Sequence, residues 1–562
     1  MSDPNNYWVR KINSGRVSRR QFVGGAAIAG VGAAGLGLVG CGSSSSSSTP
    51  TTAAGASPSA AATPSETPKK GGTFTTAFTG PFAGANPWNS VYGGSGIVPE
   101  VYNYLFRDYL AFAPDRGIIY DLAESHQLQS DNITFVFKIR PNVKVAPNAQ
   151  SIPERALDSG DALASWQQIA DAKSGSNGYA FAHQWIDKMD APDASTFRII
   201  MKSPYAWTEA NVGNNLIGAV VPKELISSPD LKAKPVGAGP YKLTELKEGA
   251  QATMVPNTNY WKTGRPYLDQ FVIRTYADQA TWLAAFSSGQ VDYYAATNQD
   301  EAKQLLQNNS KLQYNHSPSI SFNSFWMNTK MAPWTDARAR NAVNLATNRD
   351  EYIQLIGHGA GEPQGPVPYA FTKYALTKAE LAQAQPFNVS EAKKQFSAAG
   401  VTEFSFAFPT SSNTNDYVNI FVRQMQAAGV TAKPQPLDAG TWVAQYYASK
   451  LSASLSLNQQ YQTPDFALQW YVTGGITGNN HYDTGFSDPA IDAGVTKAAG
   501  TLDEAARITA YKDVQKLILS KSPPFINFFG LYADLLLSQN VRGFQFNVGS
   551  LIYAYEDSFW MA

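Results

Sequence analysis

Thr281-Trp282-Leu283-Ala284-Ala285-Phe286-Ser287-Ser288-Gly289-Gln290-Val291-Asp292-Tyr293-Tyr294 changes its period part-way along. Thr281–Ser288 reads as a helix that closes at Gly289, because glycine takes up the left-handed backbone of a helix end at little cost. Val291–Tyr294 then returns as a strand. Helix and strand signals interspersed in this way predict a mixed α/β body.

The same mixture extends in both directions. Ile133-Thr134-Phe135-Val136-Phe137-Lys138-Ile139-Arg140 places Ile133, Phe135, Phe137 and Ile139 on one face of a strand, with a turn at Asp131-Asn132 and a stop at Pro141. Thr196–Lys202 alternates similarly. Asp161 is expected to cap a short helix carrying Leu163, Trp166 and Ala170 on one side. Asp336 is expected to start a longer helix with a Val343, Leu345, Ile353, Ile356 stripe. Further helices fit Ser390–Ala399, Tyr417–Ala428 and Asp503–Ser520, the last stopped by Pro523-Pro524.

The first 70 residues read differently. Ser18-Arg19-Arg20-Gln21-Phe22-Val23 opens an apolar run, Gly24–Gly40, that ends in Leu38-Val39-Gly40-Cys41 and is followed by six serines, Ser43–Ser48. A basic flank, an apolar stretch, small residues and then cysteine is the layout of a bacterial lipoprotein signal, with Cys41 as the lipidation site. The run is too rich in Gly and Ala to be a retained span of about 20 strongly apolar residues. The paired arginines suggest that residues 1–40 are a signal peptide of the twin-arginine type. Gly30-Val31-Gly32-Ala33-Ala34-Gly35 matches a dinucleotide fingerprint, but no strand precedes it and it leaves with the signal. Residues 41–70 are almost wholly Ser, Thr, Pro, Ala and Gly, a composition expected to stay disordered. As a tether they would reach on the order of 30 Å.

Charge and cysteine usage narrow the function. The chain holds 44 basic and 44 acidic residues, and its first 40 hold Arg10, Lys11, Arg16, Arg19 and Arg20 against Asp3. The mature chain would therefore carry 39 basic and 43 acidic residues, a net charge of about −4. No basic stripe remains for nucleic acid. A single cysteine excludes disulfides within the chain and cysteine-based metal sites. No cofactor or metal is expected. Twelve Trp, 28 Tyr and 29 Phe suit a large body with a polar-edged cleft.

Several stretches, in order, carry a family resemblance. They are Asp121-Leu122-Ala123-Glu124-Ser125 leading into Asp131–Val143, Pro235-Val236-Gly237-Ala238-Gly239-Pro240-Tyr241, Trp282–Asp292, and Phe325-Trp326-Met327-Asn328-Thr329 followed by Pro333, Asp336, Arg338 and Ala342. Lys394–Gly400, Ser487–Lys497 and Tyr511–Phe528 continue the series. With these, Gly71–Ala562 resembles the extracytoplasmic solute-binding proteins of peptide-type ABC importers, the group of oligopeptide-, dipeptide- and nickel-binding proteins. The resemblance implies a periplasmic-binding-protein-like α/β fold: two lobes, a cleft, and a hinge of two crossing segments. By analogy residues 71–88, 205–317 and 523–562 form the first lobe, residues 89–204 a small domain inserted in it, and residues 318–522 the second lobe. It also implies ABC permease and ATPase subunits as partners, a small solute as ligand, and a monomer held by its lipid at the outer face of the cell membrane.

Peptide-binding relatives pair the ligand's amino group with a carboxylate in the second lobe. The corresponding stretch here is Leu457-Asn458-Gln459-Gln460-Tyr461-Gln462-Thr463-Pro464-Asp465, with Gln460 at the carboxylate's place. A buried ammonium without an anion is costly, whereas an amide satisfies neutral hydroxyls and amides. Unless Asp465 takes over, a sugar, a blocked peptide or another uncharged ligand ranks beside ordinary peptides. The candidate cleft residues are Trp88 and Tyr92 from the first lobe, Asn323, Trp326, Gln460, Tyr461 and Tyr482 from the second, and Phe529 from the returning C-terminal segment. For an isolated Trp or Phe, ordinary core burial is the competing reading.

A secreted hydrolase on the same anchor is the rival of a different class. The five histidines, His126, His183, His316, His358 and His481, stand apart without an H-E-x-x-H, and the body contains neither a G-x-S-x-G elbow nor a Walker loop. A non-enzyme is expected. Incubating the purified protein with peptides and glycans separates the two classes: stoichiometric binding without product marks a capture protein, and steady turnover a hydrolase.

Overall fold

The computed structural model describes residues 67–79, 85–88, 94–108, 118–148, 152–214, 217–410, 414–460, 463–474, 483–546 and 557–562. Lys69–Ala562 cluster as one unit, and within it two long antiparallel strands organise the rest. Gln313–Met327 has 15 residues and Phe525–Leu537 has 13. They pair from Gln313 opposite Leu537 to Pro318 opposite Tyr532, and resume with Phe322 opposite Gly530. Between those points Ser319, Ile320 and Ser321 face only Leu531. Extra residues on one strand bend it and sharpen its twist.

The pair serves different neighbours on either side of that bend. Above it, Tyr293–Ala296 joins Asp534–Leu537. Below it, Ala453–Gln460 pairs with the outgoing strand from Met327 to Ser321, and Glu403–Pro409 and Thr431–Leu437 extend the sheet in parallel. Side chains alternate across this lower sheet, as strand geometry requires. Phe325 and Met327 join a core with Val343, Phe396 and Phe421. Trp326, between them, enters the other core with Tyr446, Tyr471 and Phe525.

Two further four-stranded sheets complete the frame. One runs in the order Thr73–Thr79, Gln270–Tyr276, Gln251–Pro256, Tyr241–Lys247. The other, antiparallel, runs Ala123–Leu128, Thr134–Ile139, Thr196–Met201, Ile186–Asp193, and packs against the helix Ser159–Ala170. Its second strand buries Phe135, Phe137 and Ile139, the face expected from the alternation. The Asp131 carboxylate caps the preceding turn by accepting from the Ile133 and Thr134 amides.

Asp336 and Asp503 cap the helices expected to start there, and two expectations need correction. Asp161 does not cap its helix: Asp158 does, and Asp161 sits three residues in as the second half of a capping box, bonded to the Asp158 amide and paired with Arg155 at 2.7 Å. The long helix from Asp336 is two helices, Ala337–Ala346 and Arg349–Leu355. Asn348 splits them because its side chain accepts from the Glu351 amide and starts a new helix. The opening stretch becomes the helix Gln279–Ser287, capped by Asp278, then Gly289 at φ +73°, then the strand Tyr293–Ala296.

The turn Pro235–Tyr241 explains its own glycines. It lies against the end of the helix Gly94–Val101, where the Gly239 amide donates to the Val101 carbonyl at 2.9 Å. A Cβ on Gly239 would stand 2.5 Å from the Glu100 carbonyl oxygen and 2.7 Å from the Val101 carbonyl carbon. Backbone cannot retreat as a side chain can. Gly239→Ala is therefore expected to lower the unfolding free energy by about 1–3 kcal/mol or more, read as a lower urea midpoint at unchanged slope.

Candidate solute-binding site

Each half of the bent strand pair is pinned separately. Above the bend, Asp534 accepts from the Tyr314 hydroxyl at 2.5 Å and meets His316 Nδ1 at 2.7 Å, while the His316 ring stacks on Tyr532 at 4.5 Å. Below it, the buried Arg349 donates to the Asn527 carbonyl and to Asn344 Oδ1, both at 2.8 Å. These partners are neutral, and burial pulls the Arg349 guanidinium down to about 10. Between the two pinned halves, the chain turns through Ser319–Ser321 and Gly530–Leu531.

The expected site residues divide into three groups. Gln460 ends its strand opposite Ser321, so its backbone stands beside the bend. Asn323 is buried just past it and shares a hydrogen bond with the Tyr417 hydroxyl, whose ring stacks on Phe529 at 6.3 Å. Asn323, Tyr417 and Phe529 thus come together, inside the packed layer rather than on a surface.

Trp88, Trp326 and Phe529 are corrected to core positions. Trp88 is 2% exposed, with its indole N–H donated to the Ala219 carbonyl at 3.1 Å. Trp326 is wholly buried, edge-on to Tyr446 at 5.0 Å. Phe529 is wholly buried between Tyr417 and the loop at Gly361. Strand alternation accounts for Trp326, whereas Phe529 enters the same core as its neighbour Phe528, in a run buried from Phe525 to Gly530. Tyr92, Tyr461, Tyr482 and the lipidation candidate Cys41 lie outside the described residues, as does the Gln460 side chain.

Asp465, the possible substitute for the missing carboxylate, is already committed. It lies in the first turn of the helix Pro464–Leu468 and is 2% exposed. Its Oδ2 accepts from the Tyr205 hydroxyl at 2.8 Å; its Oδ1 accepts from the Tyr511 hydroxyl at 3.4 Å; Gln469 Nε2 stands 3.4 Å from both oxygens. Burial pushes the carboxyl up to about 6, partly offset by these bonds. Tyr205 and Tyr511 are 260 and 46 residues away in sequence, a juxtaposition no local pattern announces. Among the described residues, no cluster of His, Cys, Asp and Glu is set to hold a metal ion, and no helix is long and apolar enough to cross a membrane.

Residues 117–479 match the family model described as bacterial extracellular solute-binding proteins, family 5 middle. The chain belongs to that family. Family 5 proteins are substrate-binding components of transport systems, and the extracytoplasmic setting follows from that membership. Similar curated proteins include the glutathione-binding protein GsiB of Pectobacterium atrosepticum, 24% identical over 500 residues, covering 85% of this chain and 92% of that protein. Di/tripeptide-binding protein 2 of Pseudomonas aeruginosa is 24% identical over 445 residues, covering 75% of this chain and 82% of that one. Among solved structures, DppA from Helicobacter pylori in complex with peptide STSA aligns with TM-score 0.75 at 19% identity, covering 88% of this chain and 98% of that one. AgaA from A.tumefacien R10, in complex with agropinic acid, aligns with TM-score 0.73 at 21% identity, covering 87% and 99%. These likenesses establish the two-lobed binding-protein fold.

The core placement has a direct consequence. Trp326→Ala is expected to cost about 3–5 kcal/mol of stability, as removal of a wholly buried Trp does. Urea unfolding measures it; a variant as stable as the parent would return Trp326 to the cleft.

Proposed function

We propose that this chain is the lipid-anchored substrate-binding protein of an ABC importer, a monomer that captures a peptide or similar polar solute by closing its cleft and hands it to a membrane permease. The observation that carries the reading is the shared strand pair, bent at Ser319–Ser321 and flanked by different sheet neighbours on either side. Two bodies joined through such a bend move as a hinge, and a solute that touches both in the closed state supplies the free energy of closure. The lobes would then divide at Ser319–Ser321 on the way out and at Gly530–Leu531 on the return. The four-stranded sheet of Ala123–Met201 would be the inserted small domain. Binding without turnover completes the reading.

The state of Asp465 favours a particular class of solute. With Gln460 at the place of the relatives' carboxylate and Asp465 held by two tyrosines and Gln469, neither position offers an anion to a ligand ammonium once the lobes are shut. We therefore favour a solute without a free amino terminus: an amino-blocked peptide, an oligosaccharide, or another polar ligand of low positive charge. The solved neighbours hold both peptides and opine-type acids, so the architecture is compatible with either kind.

A thermal-shift screen tests the class. At a hundredfold excess over Kd a true ligand stabilises the protein by about 2.7 kcal/mol. Acetylated peptides or glycans are expected to raise Tm where the same peptides with free amino termini do not. Preferential binding of free-amino peptides, undisturbed by Gln460→Ala, would overturn the assignment. For the anchor, Cys41→Ser is expected to move the protein from the membrane fraction to the soluble one; retention at the membrane would refute lipidation at Cys41.

A further inference from the structure

The segment Tyr205–Asn211 ties together parts of the molecule that belong to different sheets, through alternate residues. The Tyr205 hydroxyl donates to Asp465, its ring stacks on Trp185 at 4.1 Å, and Asn211 Nδ2 donates to the same hydroxyl at 3.3 Å. The Trp207 indole donates to the Tyr511 hydroxyl at 2.8 Å, with Tyr374 edge-on at 5.2 Å and the Arg507 guanidinium over its ring at 5.5 Å. Glu209 meets His126 Nε2 of the small sheet at 2.8 Å. Between Tyr205 and Trp207, the Ala206 amide donates to the Ala499 carbonyl at 2.9 Å. One short stretch thus reaches the small sheet on one side and the helices Pro489–Gly500 and Glu504–Ser520 on the other.

We propose that the Tyr205–Asp465 contact is a closure latch, made when the two lobes shut, with the Asp465 carboxyl as its proton-bearing half, so that the clamp shuts more readily as the pH falls. This rests on the capture reading above and adds a regulation to it. The surroundings of Asp465 account for the proton. Tyr205, Tyr511 and Gln469 face it and are neutral. Arg507, on the helix behind Tyr511, donates to the Tyr374 hydroxyl and to the Thr501 and Leu502 carbonyls. On the helix Pro489–Gly500, Asp492 accepts from Thr473 at an exposed site, and Lys497 is exposed. On the segment itself, Glu209 is turned to His126. A sealed carboxylate with only neutral donors is costly, and taking up a proton removes the charge.

The sign follows. In the latched state burial pushes the carboxyl up to about 6; opening removes Tyr205 and admits water, so that it falls toward its ordinary value of about 3.9 while Tyr511 and Gln469 stay beside it. Between those values the latched state holds a proton that the open state has lost. Lowering the pH from about 7 to about 4 should favour the latched state by up to about fiftyfold, and raising it through 6 withdraws that advantage.

Small-angle X-ray scattering of the ligand-free, full-length Cys41→Ser chain at pH 5 and pH 8 tests this. The parent is expected to have a smaller radius of gyration at pH 5, and Asp465→Asn, which cannot ionise, to lose that pH response. Tyr205→Phe, which keeps the ring and removes the donor, is expected to be more expanded than the parent at pH 5. Equal radii for the parent at both pH values overturn the latch, as does an Asp465→Asn chain that keeps the parent's pH response or a Tyr205→Phe chain that matches the parent at pH 5. The two ideas fail separately. Solute-driven compaction without a pH response strikes only the latch, whereas a Tm-raising solute that never compacts the protein strikes the clamp itself.

Discussion

The antiparallel pairing of Gln313–Met327 with Phe525–Leu537 organises the frame, and its register breaks at Ser319–Ser321 and shifts again between Phe322 and Ser324. The pair lies at the centre of one seven-stranded sheet that continues through the break. With the break, the upper rungs serve Tyr293–Ala296 and the lower rungs serve Ala453–Gln460. Each half is fixed by its own buried polar group, Asp534 above and Arg349 below. In the proposed reading, the bend is the place where the backbone changes direction without unpacking either half.

The same economy governs the contacts around it. Trp326 and Phe325 are consecutive, and pleating sends them into opposite cores. Trp88, Trp326 and Phe529 are core. Asp465 is a carboxyl in the right stretch for amino-group recognition that is instead occupied by Tyr205 and Tyr511.

Much of the fold is legible in the sequence, because it rests on local physics. Phe135, Phe137 and Ile139 announce their buried face by period two, and Asp278, Asp336 and Asp503 announce helix starts by capping. The misreadings are also local. Asn348 caps a second helix in the middle of a continuous apolar stripe, and Asp161 serves as the inner half of a capping box rather than the cap. The site is much less legible. Trp88 and Trp326 are large aromatics in suggestive positions, but whether such a ring faces a cleft or a core is decided by strand phase and by partners far away in sequence. The Tyr205–Asp465 bond spans 260 residues, and nothing within either neighbourhood encodes the other.

The central claim is that two bodies close on a solute about the bend at Ser319–Ser321. Pulsed electron spin resonance measures it most directly, with spin labels on cysteines introduced at the exposed Lys247 and Lys433 of a Cys41→Ser chain, one on each side of the bend. The account predicts that a solute which raises Tm shortens the inter-label distance and narrows its distribution. A single distance, unchanged by any such solute, would contradict it.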